Sequence, residues 1–352
     1  MARWCSISGP NTIANQHNST IPKNAYLTTR GINSDWLPYV TFLNCLTNIS
    51  IQKIAFLGGG IMIWDLLMLQ AMNGLVWGLI IALIALGLSI IFGLLDIVNV
   101  AHGELFMLGA VLGWTSITVF GWVYGIFWFS LLIVPFILFV FGMGIERWVL
   151  RKIENNASLS IVATFGLSLI FQEGVRATFG AAPKRVLPPI ETTVRLFGFD
   201  YSTYRFVAAA IAAVAIAGLF LYLHKTQFGT WMRAVRQDRE MATAMGIPTD
   251  KIFMVTFGLG AGLAALGGVA ATPITTVEFT IGTQMLPTTF IAVIIGGLGN
   301  LLGTVAAAIL VSEMVGIASV FMTPTAATVL SLVFMAVVLQ VRPEGLFARR
   351  RR

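Results

Sequence analysis

The sequence predicts an all-α integral membrane protein of about eight to nine transmembrane or re-entrant helices, with broken helices and signs of an internal repeat. Three observations predict it. The chain of 352 residues is 57% hydrophobic and only 11% charged, where a soluble domain carries about 25% charged residues. Its apolar segments are continuous for about twenty residues, the length a helix needs to span hydrocarbon. They do not alternate over ten-residue stretches, as the strands of a membrane barrel do. Polar or glycine-rich clusters interrupt two of these segments, and irregular backbone at membrane depth is tolerated only where protein or water satisfies it.

The first sixty residues are polar, rich in Asn, Ser and Thr, and lack the charged start and apolar core of a signal peptide. Residues 1–62 are expected to be a disordered extension or translated sequence upstream of the true start, with Met62 and Met68 as candidate starts. The transmembrane domain is expected over 66–345, and 346–352 form a basic tail. Apolar runs fall at roughly 70–95, 98–121, 124–145, 158–179, 206–223, 252–272, 286–298, 301–321 and 325–341. The seventh is too short to span alone and reads as half of a broken helix or as a re-entrant segment. Arg147, Arg151 and Lys152 lie in one short loop, Lys225 to Lys251 in a longer one, and Arg342 and Arg349 to Arg352 at the end. The positive-inside rule places all three on the cytoplasmic side of a bacterial inner membrane. The segment from about 180 to 205 then lies outside, and Pro183, Pro188 and Pro189 keep it from being helical throughout.

The break in the first span carries the most information. About thirty mostly apolar, uncharged residues run from Leu66 to Leu95, Asp96 interrupts them, and Asn99-Val-Ala-His102-Gly103-Glu104 leads into the next apolar run. Ionisable groups at membrane depth mark functional sites by default. Asn99, His102 and Glu104 either contact a solute on a translocation path or brace neighbouring helices. Since His102 and Glu104 are two apart, a regular helix points them to different faces. A second break, Gly296-Gly297-Leu298-Gly299-Asn300, has the same pattern in the second half of the chain. Interrupted segments in matching places of two halves point to a transporter's binding site. Gly258 with Gly262, and Gly299 with Gly303, have the spacing that lets helices approach closely in lipid.

Between the fifth and sixth runs lies an amphipathic segment. It is expected to form one helix from Trp231 to Met245, ended by Gly246 and barred from continuing by Pro248. Arg233, Arg236, Arg239 and Glu240 form its polar face, and Met232, Val235, Met241 and Ala242 are among its apolar positions. Such a helix either rests at the membrane interface or docks a soluble partner.

Several functions are excluded by what is missing. The chain has no P-loop signature and no nucleophile elbow. Three histidines and two cysteines make neither a metal site nor a disulfide framework. No cofactor is expected. The net charge of +7 comes from loops and the tail and does not indicate nucleic-acid binding.

The order of five motifs resembles the membrane permease subunits of ABC importers for branched-chain amino acids, a family that also includes urea and short-amide permeases. These are Asn99 to Gly109, Gly144-Ile-Glu146-Arg147, Gly229 to Gly246, Gly296 to Asn300, and Arg342-Pro-Glu-Gly345-Leu-Phe. The resemblance covers about 68 to 348. It implies a transport subunit without its own ATP site, not an enzyme. The implied partners are a second permease subunit in a hetero- or homodimer, two cytoplasmic ATPase subunits, a periplasmic binding protein and the lipid bilayer. It further implies that Gly229, Arg233, Arg236, Arg239, Glu240, Ala242 and Gly246 form the ATPase-docking loop. Asn99, His102, Glu104, Gly296, Gly297, Gly299 and Asn300 are the candidates for the translocation path. Import of urea or short amides, and an ATP-independent channel or secondary transporter, are the alternatives.

Overall fold

A computed structural model of the chain describes residues 63–95, 98–120, 126–153, 157–196 and 199–347. The predicted N-terminal extension, Asp96 and the Arg349 to Arg352 tail lie outside the described residues. The long helices are α1 (Ile63–Leu95), α2 (His102–Phe120), α3 (Ile126–Trp148), α4 (Ala157–Phe179), α5 (Thr203–Lys225), α8 (Thr249–Ala271), α9 (Ile281–Gly296), α10 (Leu301–Phe321) and α11 (Pro324–Val341). Two short helices, α6 (Gln227–Gln237) and α7 (Arg239–Ala244), lie between α5 and α8. Among the described residues, seven helices are long and apolar enough to cross a membrane, all but α2 and α9 of the long ones. Each of the nine apolar runs thus becomes a helix. The proline-containing segment holds a small antiparallel hairpin, β1 (Thr193–Leu196) with β2 (Phe199–Ser202).

α1 is the axial element. Its most apolar window is 83% buried, against 17% for α11, and it packs on α5, α8, α9 and α10. A helix without a polar face belongs inside a bundle, and α1 carries no charge after Asp65. Missing side chains make these contacts close. Gly87 and Gly260 meet face to face where α1 crosses α8, and a Cβ on Gly258 would sit 2.8 Å from the Phe139 carbonyl of α3.

The packing pattern shows the internal repeat. α1 lies against α10 as α8 lies against α3. α2 packs on α8 as α9 packs on α1, while the pairs α1–α8 and α2–α9 cross each other at the centre. The repeats are therefore α1 to α4 and α8 to α11, with α5 to α7 between them. This corrects the pairing of breaks expected from the sequence. The counterpart of the Asn99–Glu104 break is the approach to α9 at Glu278–Gly282. The Gly296–Asn300 turn instead corresponds to the connection between α2 and α3.

All three predicted cytoplasmic segments gather on one face. Arg151 pairs with buried Glu146 at 2.9 Å and reaches Asp250 at the start of α8 at 3.4 Å. Arg236 of α6 donates to the Gly299 carbonyl, 2.9 Å away. The amide of Leu346 donates to the Ile295 carbonyl, and the Asn300 side chain donates to the Phe347 carbonyl. Glu146 is 1% exposed and Arg151 30%, so the two ends of this pair respond differently to loss of the partner. Arg151 can rehydrate when Glu146 is lost, whereas removing Arg151 takes a charge partner from a carboxylate that water does not reach. Arg151→Ala is expected to cost about 2–3 kcal/mol, and Glu146→Gln about 1 kcal/mol. Thermal melts of the purified protein in detergent check the order; equal losses would contradict it.

Candidate functional site

The centre of the bundle is where two helices, α2 and α9, begin. His102 Nε2 lies 2.9 Å from the Ile84 carbonyl. Ile84 stands about 16 Å before the end of α1, at 1.5 Å per residue. α2 therefore starts beside the middle of α1, well back from its end. An Asn turn makes this start: Asn99 Oδ1 accepts the Ala101 amide at 3.1 Å, and the Asn99 carbonyl accepts the His102 amide. α9 begins at the same depth. Gly282 sits against the Gly103 carbonyl, and Gly103 against the Gly282 carbonyl. At 16 residues α9 is about 24 Å long, short of the roughly 30 Å hydrocarbon core.

Two helix N-termini thus meet, and both point partial positive charge at one spot. Glu104 places its carboxyl there. Its Oε1 accepts the Ser168 hydroxyl of α4 at 3.2 Å, and its Oε2 lies 2.5 Å from where a Cβ on Gly282 would be. Thr164, one turn before Ser168, accepts the Val100 amide. The structure separates His102 and Glu104 as their two-residue spacing requires: His102 faces α1 and Glu104 faces α4 and α9. Asn99, His102 and Glu104 are each at most 1% exposed. Each keeps one buried polar atom without a hydrogen-bond partner: Asn99 Nδ2, His102 Nδ1 and Glu104 Oε2. Unsatisfied buried polar atoms are costly, so this cluster gains from any ligand or rearrangement that pairs them. Two turns further along α2, Val111, Trp114, Val175, Phe179, Lys184 and Phe279 line a small open pocket, with the Lys184 ammonium 4.5 Å from the Trp114 ring centre.

The Gly296–Asn300 turn is not at this centre. Its Gly299 packs on Gly93 near the end of α1 and on the Arg236 guanidinium, and Gly297 packs on Gly345. It joins the face that carries α6 and α7.

That amphipathic segment is two helices, not the single Trp231–Met245 helix expected. Asp238 breaks it by adopting an extended backbone and capping α7 through the Met241 amide at 2.9 Å. The predicted stop at Gly246 is present: φ is +83°, and the amides of Gly246 and Ile247 close the turn on the Thr243 and Ala242 carbonyls. A side chain on Gly229 would collide with the Leu223 carbonyl, so α6 folds tightly against the end of α5. The arginines turn back into the chain. Arg233 donates to the Leu223 carbonyl, Arg236 to that of Gly299, and Arg239 lies 4.5 Å over the Phe253 ring. Ala242 and Val235 are buried; Glu240 is exposed. Met241 is 61% exposed and Met245 76%, one helical turn apart. Gly282 and the pairing of these methionines are not singled out by the sequence. Thr164 and Ser168 belong to one Thr-Phe-Gly-Leu-Ser stretch whose i, i+4 spacing puts both on one helix face.

The long helices, an inverted pair of shorter helices and a polar cluster where they meet define a multi-pass membrane transport protein. Among the described residues no cluster of metal-ligating side chains occurs. The family model described as the permease component of branched-chain amino acid transport systems matches residues 70–341. The chain belongs to that family, whose members are transport subunits and not themselves enzymes. It is similar to the high-affinity branched-chain amino acid transport system permease protein LivH of Escherichia coli K12, 27% identical over 295 residues, 80% of this chain and 95% of the relative. BraD of Pseudomonas aeruginosa, a permease protein of the same description, is 26% identical over 80% of this chain and 95% of its own length. A probable LivH-type branched-chain amino acid permease of Methanocaldococcus jannaschii is 24% identical, covering 78% of this chain and 90% of the relative. No solved structure matches the chain.

Proposed function

We propose that this chain is one of two membrane subunits of an ATP-driven importer of branched-chain amino acids. A periplasmic binding protein delivers the solute, and two ATPase subunits act from the cytoplasm. In this reading the chain sits in the inner membrane with its basic C-terminus inside, and pairs with a second permease subunit as a homo- or heterodimer. Family membership supports the substrate class. One structural observation supports the ATPase partner: Met241 and Met245 protrude from a helix pair whose arginines are anchored in the chain. Exposed methionines are adaptable apolar knobs suited to a partner's groove.

The anchoring also supplies a route for force. Closure of the ATPases moves α6 and α7, and Arg236 passes that movement to the Gly299 turn. The turn ends α9, and α9 begins at Gly282, beside Glu104. A shift of α9 then parts or joins the two helix N-termini. Asn99, His102 and Glu104 exchange partners as this happens, and the central closure opens to one side or the other.

Uptake into proteoliposomes holding the whole complex tests the substrate class. Leucine, isoleucine and valine should compete with one another for uptake. Urea and acetamide in hundredfold excess should not lower it. Uptake of urea with no uptake of leucine would reject the reading in favour of an amide importer.

A further inference from the structure

The outer half of α1 carries a polar network that the central break does not use. Asn73 donates to Gln70 Oε1 at 3.1 Å, and Gln70 donates to Ser319 Oγ of α10 at 3.2 Å. The Tyr201 hydroxyl donates to Asn73 Oδ1 at 3.1 Å, and the Arg205 guanidinium donates to the same oxygen. Burial pushes the Tyr201 phenol up, with Arg205 opposing, so the phenol keeps its proton and remains a donor. Next to Asn73 on α1 is Gly74. A Cβ there would lie 3.0 Å from the Glu313 carboxylate of α10.

Glu313 is the one charged residue of α10, about 12 Å from its outer end at Phe321. It is half-buried, and so is Arg205. Among the described residues neither joins an ion pair. An acid inside a span faces either the interior of its bundle or a water-filled cavity. Glu313 is only half-buried by its own bundle, so part of its carboxylate is open to what lies beside it. The acid and the base approach consecutive residues of α1 without joining each other. Such a pair suits a small molecule carrying both charges: a guanidinium grips a carboxylate in a planar fork, and a carboxylate accepts from an ammonium.

We propose that Glu313 and Arg205, seated on Gly74 and Asn73 of α1, bind the ammonium and the carboxylate of an α-amino acid on the outer part of the translocation path. The inference rests on the function proposed above and adds to it: a neutral amide has no use for both groups.

Two measurements test it on the whole complex in proteoliposomes. In a chain with Cys5→Ser and Cys45→Ser, Glu313→Cys should react with a membrane-impermeant methanethiosulfonate at least tenfold faster than Phe136→Cys, a site 66% exposed on the apolar face of α3. Separately, Glu313→Gln and Arg205→Gln should each lower leucine uptake at least tenfold. Glu313→Asp and Arg205→Lys should keep more than a third of it. ATP hydrolysis stimulated by the loaded binding protein should stay within twofold in all four, which a merely structural role would not preserve. An unreactive thiol in the Glu313→Cys chain, or Gln variants that transport within twofold of wild type, overturns this site alone. A wild-type complex that moves no amino acid overturns the reading of function instead.

Discussion

Gly282→Val abolishes transport, with uptake below a tenth of wild type. The position has no room for a side chain: the first added carbon would lie 2.5 Å from Glu104 Oε2 and 2.7 Å from the Gly103 carbonyl. One of these neighbours is backbone at the start of α2 and cannot rotate away. Overpacking of this kind typically costs about 1–3 kcal/mol, and here it falls on the contact that brings the two helix N-termini together. The helices separate or the Glu104–Ser168 bond breaks. Gly282→Ala gives an intermediate loss. Gly218→Ala on α5 serves as the control, since nothing lies within 4 Å of its added carbon, and it should transport normally. Normal uptake by Gly282→Val would mean that the meeting of α2 and α9 is not part of the path.

The second large effect is expected at the docking face. Met241→Asp with Met245→Asp should weaken ATPase binding at least a hundredfold while the chain still inserts and purifies. Burying a methionine side chain contributes about 1.5–3 kcal/mol, and tenfold in affinity corresponds to about 1.4 kcal/mol. Both side chains face outward in the isolated subunit, so their loss costs the fold little. Co-purification of ATPase subunits and binding isotherms in detergent measure the effect. Affinity within threefold of wild type would place the docking surface elsewhere. Arg239 is a poor site for such a test despite its prominence in the sequence. It stacks on Phe253, and reversing its charge would disturb the chain's own packing.

Hydrophobic continuity is the strongest signal a membrane sequence carries, and here it suffices to find every long helix described, including the short-spanning α9. The Asn99–Glu104 break is equally legible, because polar residues inside apolar runs stand out. Its partner is not. The approach to α9, from Thr275 to Gln284, is polar too, but what matters at Gly282 is the absence of a Cβ, and the residues around it do not signal that. A conspicuous glycine turn, Gly296–Asn300, takes its place in the sequence pattern although it belongs to the opposite end of α9. The amphipathic segment is legible, but its arginines look like partner contacts. Three carbonyl or ring acceptors within the chain claim them, and two of these, Gly299 and Phe253, are distant in sequence from the helix face. The Asn73–Tyr201–Arg205 network is hidden for the same reason: its members are 128 and 132 residues apart, and no local pattern joins them.

A gate that others drive should pass no solute unless they act, and one comparison addresses that directly. Leucine accumulation is measured in proteoliposomes loaded with ATP, once with the permease pair alone and once with the ATPase subunits and loaded binding protein added. The expected result is accumulation against a gradient in the complete assembly, abolished by a non-hydrolysable ATP analogue, and no leucine flux through the permease pair alone. Equal leucine flux in both preparations, insensitive to the analogue, would contradict it.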